Sequence, residues 1–187
     1  MHIHFLIPLR IIIALERTGG DIGLSNNTNG TREITLTALS AAFVTVATML
    51  IRIPHPLTKG YINIGDAAVI AVAMVLGRRL GWLAGGLGSA LADLLGGYAH
   101  WAPWTFIIKA LEGYIVSTSD AKAKFDWRWA AGPVVMVLGY FLVEIFMYGM
   151  PAALAEIPGN AFQGLVGAVV GPLLGKAFVG ALGGVSR

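Results

Sequence analysis

Residues Gly85 to Gly113 read GGLGSALADLLGGYAHWAPWTFIIKALEG. Two apolar runs meet at a short break around Gly96, Gly97 and His100, and the second opens with Pro103. A proline in a first helical turn costs nothing, because an N–H there has no intrahelical partner to lose. The stretch therefore reads as two helices joined tightly, Leu80–Tyr98 and Trp101–Ser117. Their only charged residues are Asp93, Lys109 and Glu112. That is too little polarity to coat a helix in water.

Composition extends this reading to the whole chain. Of 187 residues, 12% are charged and 56% hydrophobic, with a mean hydropathy of +0.74; an average globular protein has about 25% charged residues. A soluble domain of this size has too much surface to cover with so few charges. Glycine, at 25 residues, is enriched as in membrane helices that pack closely. The fold expected is an all-α integral membrane bundle of six helices, with spans at Ile34–Ile53, Tyr61–Leu76, Leu80–Tyr98, Trp101–Ser117, Ala130–Met150 and Asn160–Leu182. Pro133 falls in a first turn, Pro54, Pro56, Pro151 and Pro158 lie between spans, and Pro172 kinks the sixth.

Residues 1–33 form a leader ahead of the 34–187 membrane domain. The run Ile3 to Leu15 contains Arg10 and is short of the roughly 20 residues a span needs. It lacks the flanks of a secretory signal, so an interfacial or disordered segment is expected, followed by a polar linker through Asn26, Asn27 and Asn29. Basic residues set the orientation. Arg10, Arg17, Arg32, Arg78, Arg79, Lys122, Lys124, Arg128 and Arg187 fall on one side, against Arg52 and Lys59 on the other, which puts both termini in the cytoplasm. The net charge of +3 is small and scattered, and gives no nucleic-acid footprint.

With helix directions assigned, depth can be read. Asn63, Asp66, Asp93, Trp101, Trp104, Thr105, Glu144, Tyr148, Asn160 and Gln163 all fall in the outer half, and Lys109 lies near the midplane. Ionisable groups at such depth cost about 2.5–3.5 kcal/mol each on insertion scales, and they face the protein interior, paired or functional. Their convergence describes an outward-facing polar cavity. Trp101, Thr105, Lys109 and Glu112 share one face of their helix at i, i+4, i+8 and i+11. Two readings stay open for Lys109: a ligand contact, or a neutralising i, i+3 pair with Glu112. Gly81, Gly85 and Ser89, and Gly167, Gly171 and Gly175, recur every four residues and mark close helix packing.

Several chemistries lack their parts. Without cysteine there is no disulfide scaffold, thiol catalysis or thiolate metal site. His2, His4, His55 and His100 have no metal-holding spacing, and no phosphate-binding loop, H-E-x-x-H or G-x-S-x-G motif occurs. No cofactor, metal or intrinsic ATPase site is expected.

The chain resembles the substrate-binding S-components of energy-coupling-factor (ECF) transporters, in particular the riboflavin-type branch. The resemblance covers roughly Thr35 to Arg187. It rests on GYINIGDA at Gly60 to Ala67, on the Gly85–Gly113 stretch, and on the A-x-x-x-A element Ala38 to Ala42. It implies a six-helix vitamin-binding membrane protein that docks through Ala38 and Ala42 onto a transmembrane T-component carrying two ATPases. Asn63 and Asp66 would end a gating loop between the first two helices. It favours Trp104, Lys109, Glu144, Tyr148, Asn160 and Gln163 as pocket residues; the helix-face reading adds Trp101, whose alternative is the aromatic belt at the membrane interface. The expected substrate is a small heteroaromatic vitamin or precursor, pyridoxine or a hydroxymethylpyrimidine first and riboflavin next. The alternatives are a membrane-embedded enzyme using Asp66, Asp93 and Glu144, or a structural membrane partner.

Overall fold

A computed structural model describes residues 28–120 and 123–181. Among these residues five helices and one hairpin make up the order α1 (Thr28–Leu50), β1 (Arg52–His55), β2 (Gly60–Asn63), α2 (Asp66–Gly96), α3 (Ala102–Ser117), α4 (Arg128–Tyr148) and α5 (Met150–Ala181). The described residues are all-helical apart from that hairpin and the connecting turns. Four of the helices, α1, α2, α4 and α5, are long and apolar enough to cross a membrane.

Among the described residues the expected count of six corrects to five, and the reason sits at one residue. Gly77, at φ 66° and ψ −166°, breaks α2 internally, a backbone conformation that only glycine adopts without strain. No loop intervenes, so the two expected spans form one continuous element. The geometry on either side of Gly77 is that of a hairpin. A Cβ on Gly81 would lie 2.8 Å from the Ala73 backbone, and one on Gly85 3.0 Å from Val69, so positions pair in opposite directions and the arms run antiparallel.

The first arm is the centre of the bundle. Residues Ala67 to Met74 are all buried, as expected of a helix apolar all round. Against it α5 runs parallel: Gly167 faces Asp66, Gly171 faces Ile70 and Gly175 faces Met74, each within 3 Å of where a Cβ would stand. The glycine stripes read from sequence are thus helix-packing surfaces. Helix α1 meets the second arm, where Thr45 donates to the Gly88 carbonyl at 2.8 Å.

Boundaries differ where flanking chemistry misled. The expected span Tyr61–Leu76 begins only at Asp66, because Gly60–Asn63 pairs antiparallel with Arg52–His55, from Arg52 opposite Asn63 to His55 opposite Gly60. Helix α1 starts at Thr28, inside the expected leader; residues 1–27 lie outside those described. Pro158 is inside α5 and Pro133 inside α4, since neighbouring helices hold the backbone where a proline omits one hydrogen bond.

Polarity is inverted relative to a soluble protein. Val134, Leu138, Leu142 and Phe146 form an exposed i, i+4 stripe along α4, Phe146 being 81% exposed. Asp66, Lys109, Glu112 and Glu144 are buried. A hydrocarbon solvent favours that arrangement.

Candidate substrate-binding site

At one end of the bundle the hairpin covers a polar cavity walled by α1, α2, α3, α4 and α5. The walls enclose about 500 Å³ of space free of atoms, part of it open to solvent, and the centre of a water molecule reaches about 40 Å³ of it. Trp101, Thr105 and Lys109 all line it, as their i, i+4, i+8 spacing on α3 requires.

The hairpin is fastened by four hydrogen bonds. Thr58 donates its hydroxyl to Glu156, and His55 Nδ1 lies 2.7 Å from the same carboxylate. Trp101 Nε1 donates to the Thr58 carbonyl at 3.3 Å. Tyr61 donates to Asp93 at 2.7 Å; burial, and then the Asp93 carboxylate beside it, hold this phenol well above its usual range, so it stays a donor. In the fourth, the Asn63 N–H donates to Gln163 at 2.9 Å. Lys59, at φ 50°, makes the turn.

Behind the cavity Lys109 joins two carboxylates. Its ammonium donates to Asp66 and, at 3.1 Å, to Glu112, while Gln163 donates to Asp66 at 3.3 Å. Lys109 is 2% exposed and both carboxylates are fully buried. The i, i+3 pair with Glu112 therefore exists, with Asp66 as a further partner, and Lys109 also lines the cavity.

In the cavity wall the pairing is incomplete. Asn160 donates to Glu144 Oε1 at 3.1 Å, leaving Oε2 without a partner, as are Asp93 Oδ2, Ser89 Oγ and Thr48 Oγ1. Such buried orphans are rare in folded proteins. All four residues line the cavity.

Of the residues expected from sequence, Asn63, Trp101, Lys109, Glu144, Asn160 and Gln163 line the cavity. Asp66 stands behind them, bonded to Lys109. Trp104 does not line it: it meets the exposed Phe146 edge-on at 6.4 Å, since three residues from Trp101 is enough rotation to leave the shared face. Tyr148 backs Trp101 at 5.9 Å and contributes to the ring cluster instead. Sequence reasoning missed Thr48, Thr58, Gly60, Tyr61, Tyr140 and Glu156 as lining residues, and read Ser89 only as a packing position. Tyr140 sits one turn before Glu144 on α4, a spacing that could have found it. On α1, Ala38 and Ala42 are exposed, in line with Ile34, Val46 and Leu50.

Among known proteins, the chain is 43% identical over 136 residues, 71% of its length and 91% of the relative's, to an uncharacterised protein of Pyrococcus woesei. It is 29% identical over 145 residues to the thiamine precursor transporter HmpT of Lactococcus lactis, covering 76% of this chain and 85% of that one. A crystal structure of the S-component for biotin from an ECF-type ABC transporter superposes with a TM-score of 0.53 at 17% identity, over 81% of this chain and 94% of that one; this shows a shared fold. The model of the family described as ECF-type riboflavin transporter, S component, matches residues 28–179, and the chain belongs to that family of membrane-spanning S-components.

Proposed function

We propose that this chain captures a small water-soluble heteroaromatic vitamin or vitamin precursor from outside the cell and passes it inward within an ECF complex. A thiamine-precursor-like or pyridoxine-like ring is the first choice and riboflavin the next. The observation that carries this reading is the covered cavity whose wall combines aromatic rings, Trp101 and Tyr140, with four unpartnered polar atoms. Ligand sites are built this way, apolar surfaces for stacking and a few convergent polar groups for orientation. The name of the Lactococcus relative supports the precursor class.

The wall residues all belong to this chain, so binding needs neither nucleotide nor partner. Pockets for small ligands usually offer roughly 300–1,000 Å³. Admitting a ring past the hairpin therefore means releasing contacts such as Thr58–Glu156. The antiparallel arms of α2, if counted separately, support the six-rod reading of the bundle. Arg78, Arg79 and Arg128 fall at the end opposite the hairpin, which favours an outward-facing cavity with cytoplasmic termini. Release inward rests on a T-component and two ATPases, with the exposed Ala38–Ala42 face as the docking surface, where small side chains allow close helix approach. Members of this family are transporter subunits and not enzymes, and Asp66 is already committed to Lys109.

The test is mass spectrometry of small molecules released on denaturing the purified protein. A bound nitrogen heterocycle is expected; reproducible release of none, together with no binding of any vitamin tested, contradicts the proposal.

A further inference from the structure

The charge of the cavity wall limits what can bind. Its charged residues are Lys109, Asp93, Glu144 and Glu156. The one ammonium is shared by two carboxylates behind it, Asp66 and Glu112, so that centre has no positive charge to spare for a ligand anion. Glu156 is held by Thr58 and His55. Asp93 and Glu144, each 3% exposed, keep one unpartnered oxygen apiece. A carboxylate oxygen only accepts hydrogen bonds. The ligand must therefore bring donors.

From this we infer that the site selects a neutral or protonated nitrogen heterocycle bearing exocyclic N–H or O–H donors, and rejects its phosphorylated form. The inference deepens the capture reading above and rests on it. Two carboxylate acceptors on α2 and α4 engage amino, hydroxyl or ring N–H groups. The neighbouring hydroxyls of Ser89 and Thr48, also unpartnered, can donate or accept, and the third N–H of Lys109 serves one ring acceptor. The rings of Trp101 and Tyr140, which line the cavity, favour a flat ring. A phosphate meets the opposite: buried carboxylates in a medium of low dielectric, with no free guanidinium or ammonium among the lining residues to offset them.

The experiment uses the full chain purified in detergent and calorimetry with matched pairs: an aminated hydroxymethylpyrimidine and its phosphate ester, pyridoxine and pyridoxine phosphate, riboflavin and riboflavin phosphate. The free member of at least one pair is expected to bind about a hundredfold or more tighter than its ester. In the isosteric double variant Asp93→Asn, Glu144→Gln, the free compound weakens and the gap narrows to about tenfold or less. Binding of an ester within about tenfold of its parent overturns the charge inference and leaves capture standing. A gap unchanged in the double variant also overturns it, since size and not charge then excludes the ester. If neither member of any pair binds, the capture reading fails and takes this inference with it.

Discussion

The molecule buries two sets of carboxylates, and they are treated differently. Asp66 and Glu112 share the Lys109 ammonium, and Asp66 also receives Gln163. Asp93 and Glu144 receive neutral donors only, from Tyr61 and Asn160, and in both sets each carboxylate keeps a second oxygen without a hydrogen bond. Both sets lie within the apolar bundle, where an unsatisfied polar atom is costly. The first set has a counter-charge built in and ties α2, α3 and α5 together. The second lacks it, and such a deficit is tolerated at a site that a ligand completes.

Breaking the first set should have the largest effect. Lys109→Met strands two buried carboxylates, and loss of one partner of a buried charge pair costs about 3–5 kcal/mol. Expression and melting temperature should fall sharply, and adding Glu112→Gln should restore part of both. A stable Lys109→Met protein of unchanged affinity would show that the lysine neither braces the bundle nor touches the ligand.

Next comes the second set. Glu144→Gln or Asp93→Asn should leave the melting temperature within a few degrees of wild type, because an amide replaces an under-partnered carboxylate of the same shape. Affinity for the bound heterocycle should fall by about 1.5–3 kcal/mol, roughly ten- to a hundredfold, as a charge-assisted hydrogen bond is lost. Tryptophan quenching and calorimetry measure it. A smaller change is expected at the cover. Thr58→Val removes one of the hairpin's fastenings, worth about 1 kcal/mol, so ligand should leave up to about fivefold faster in stopped-flow release.

The docking face should not affect binding at all. Ala38→Leu and Ala42→Leu should bind ligand as wild type and yet fail in ATP-driven uptake with T-component and ATPases supplied, because added bulk blocks close helix approach. Normal uptake by both variants would make that face ordinary lipid-exposed surface.

Much of this was legible in the sequence, for reasons that differ by region. Depth along apolar spans brought Lys109, Glu144, Asn160 and Gln163 together, since an ionisable or amide group in such a span has to turn inward. The glycine stripes announced the packing of α5 on the first arm of α2. Illegible were the parts where local signals compete with tertiary context. Tyr61-Ile62-Asn63-Ile64 looks like the start of an apolar span, but its alternation fits a strand once Arg52–His55 pairs with it. Glu156 hid beside Pro158, whose usual meaning is a break, although α5 runs straight through it. Gly77 precedes Arg78 and Arg79 in the expected inner turn, yet only its backbone angles show that this turn has no loop.

The account turns on whether the unpartnered oxygens of Asp93 and Glu144 hold the ligand. Wild type and the Asp93→Asn, Glu144→Gln double variant should be purified from the same host, their melting temperatures measured, and the small molecules released on denaturation quantified per mole of protein. The account predicts similar melting temperatures, a near-stoichiometric heterocycle from wild type and little or none from the variant. Equal release from both proteins, or a variant that loses its fold along with its ligand, would contradict it.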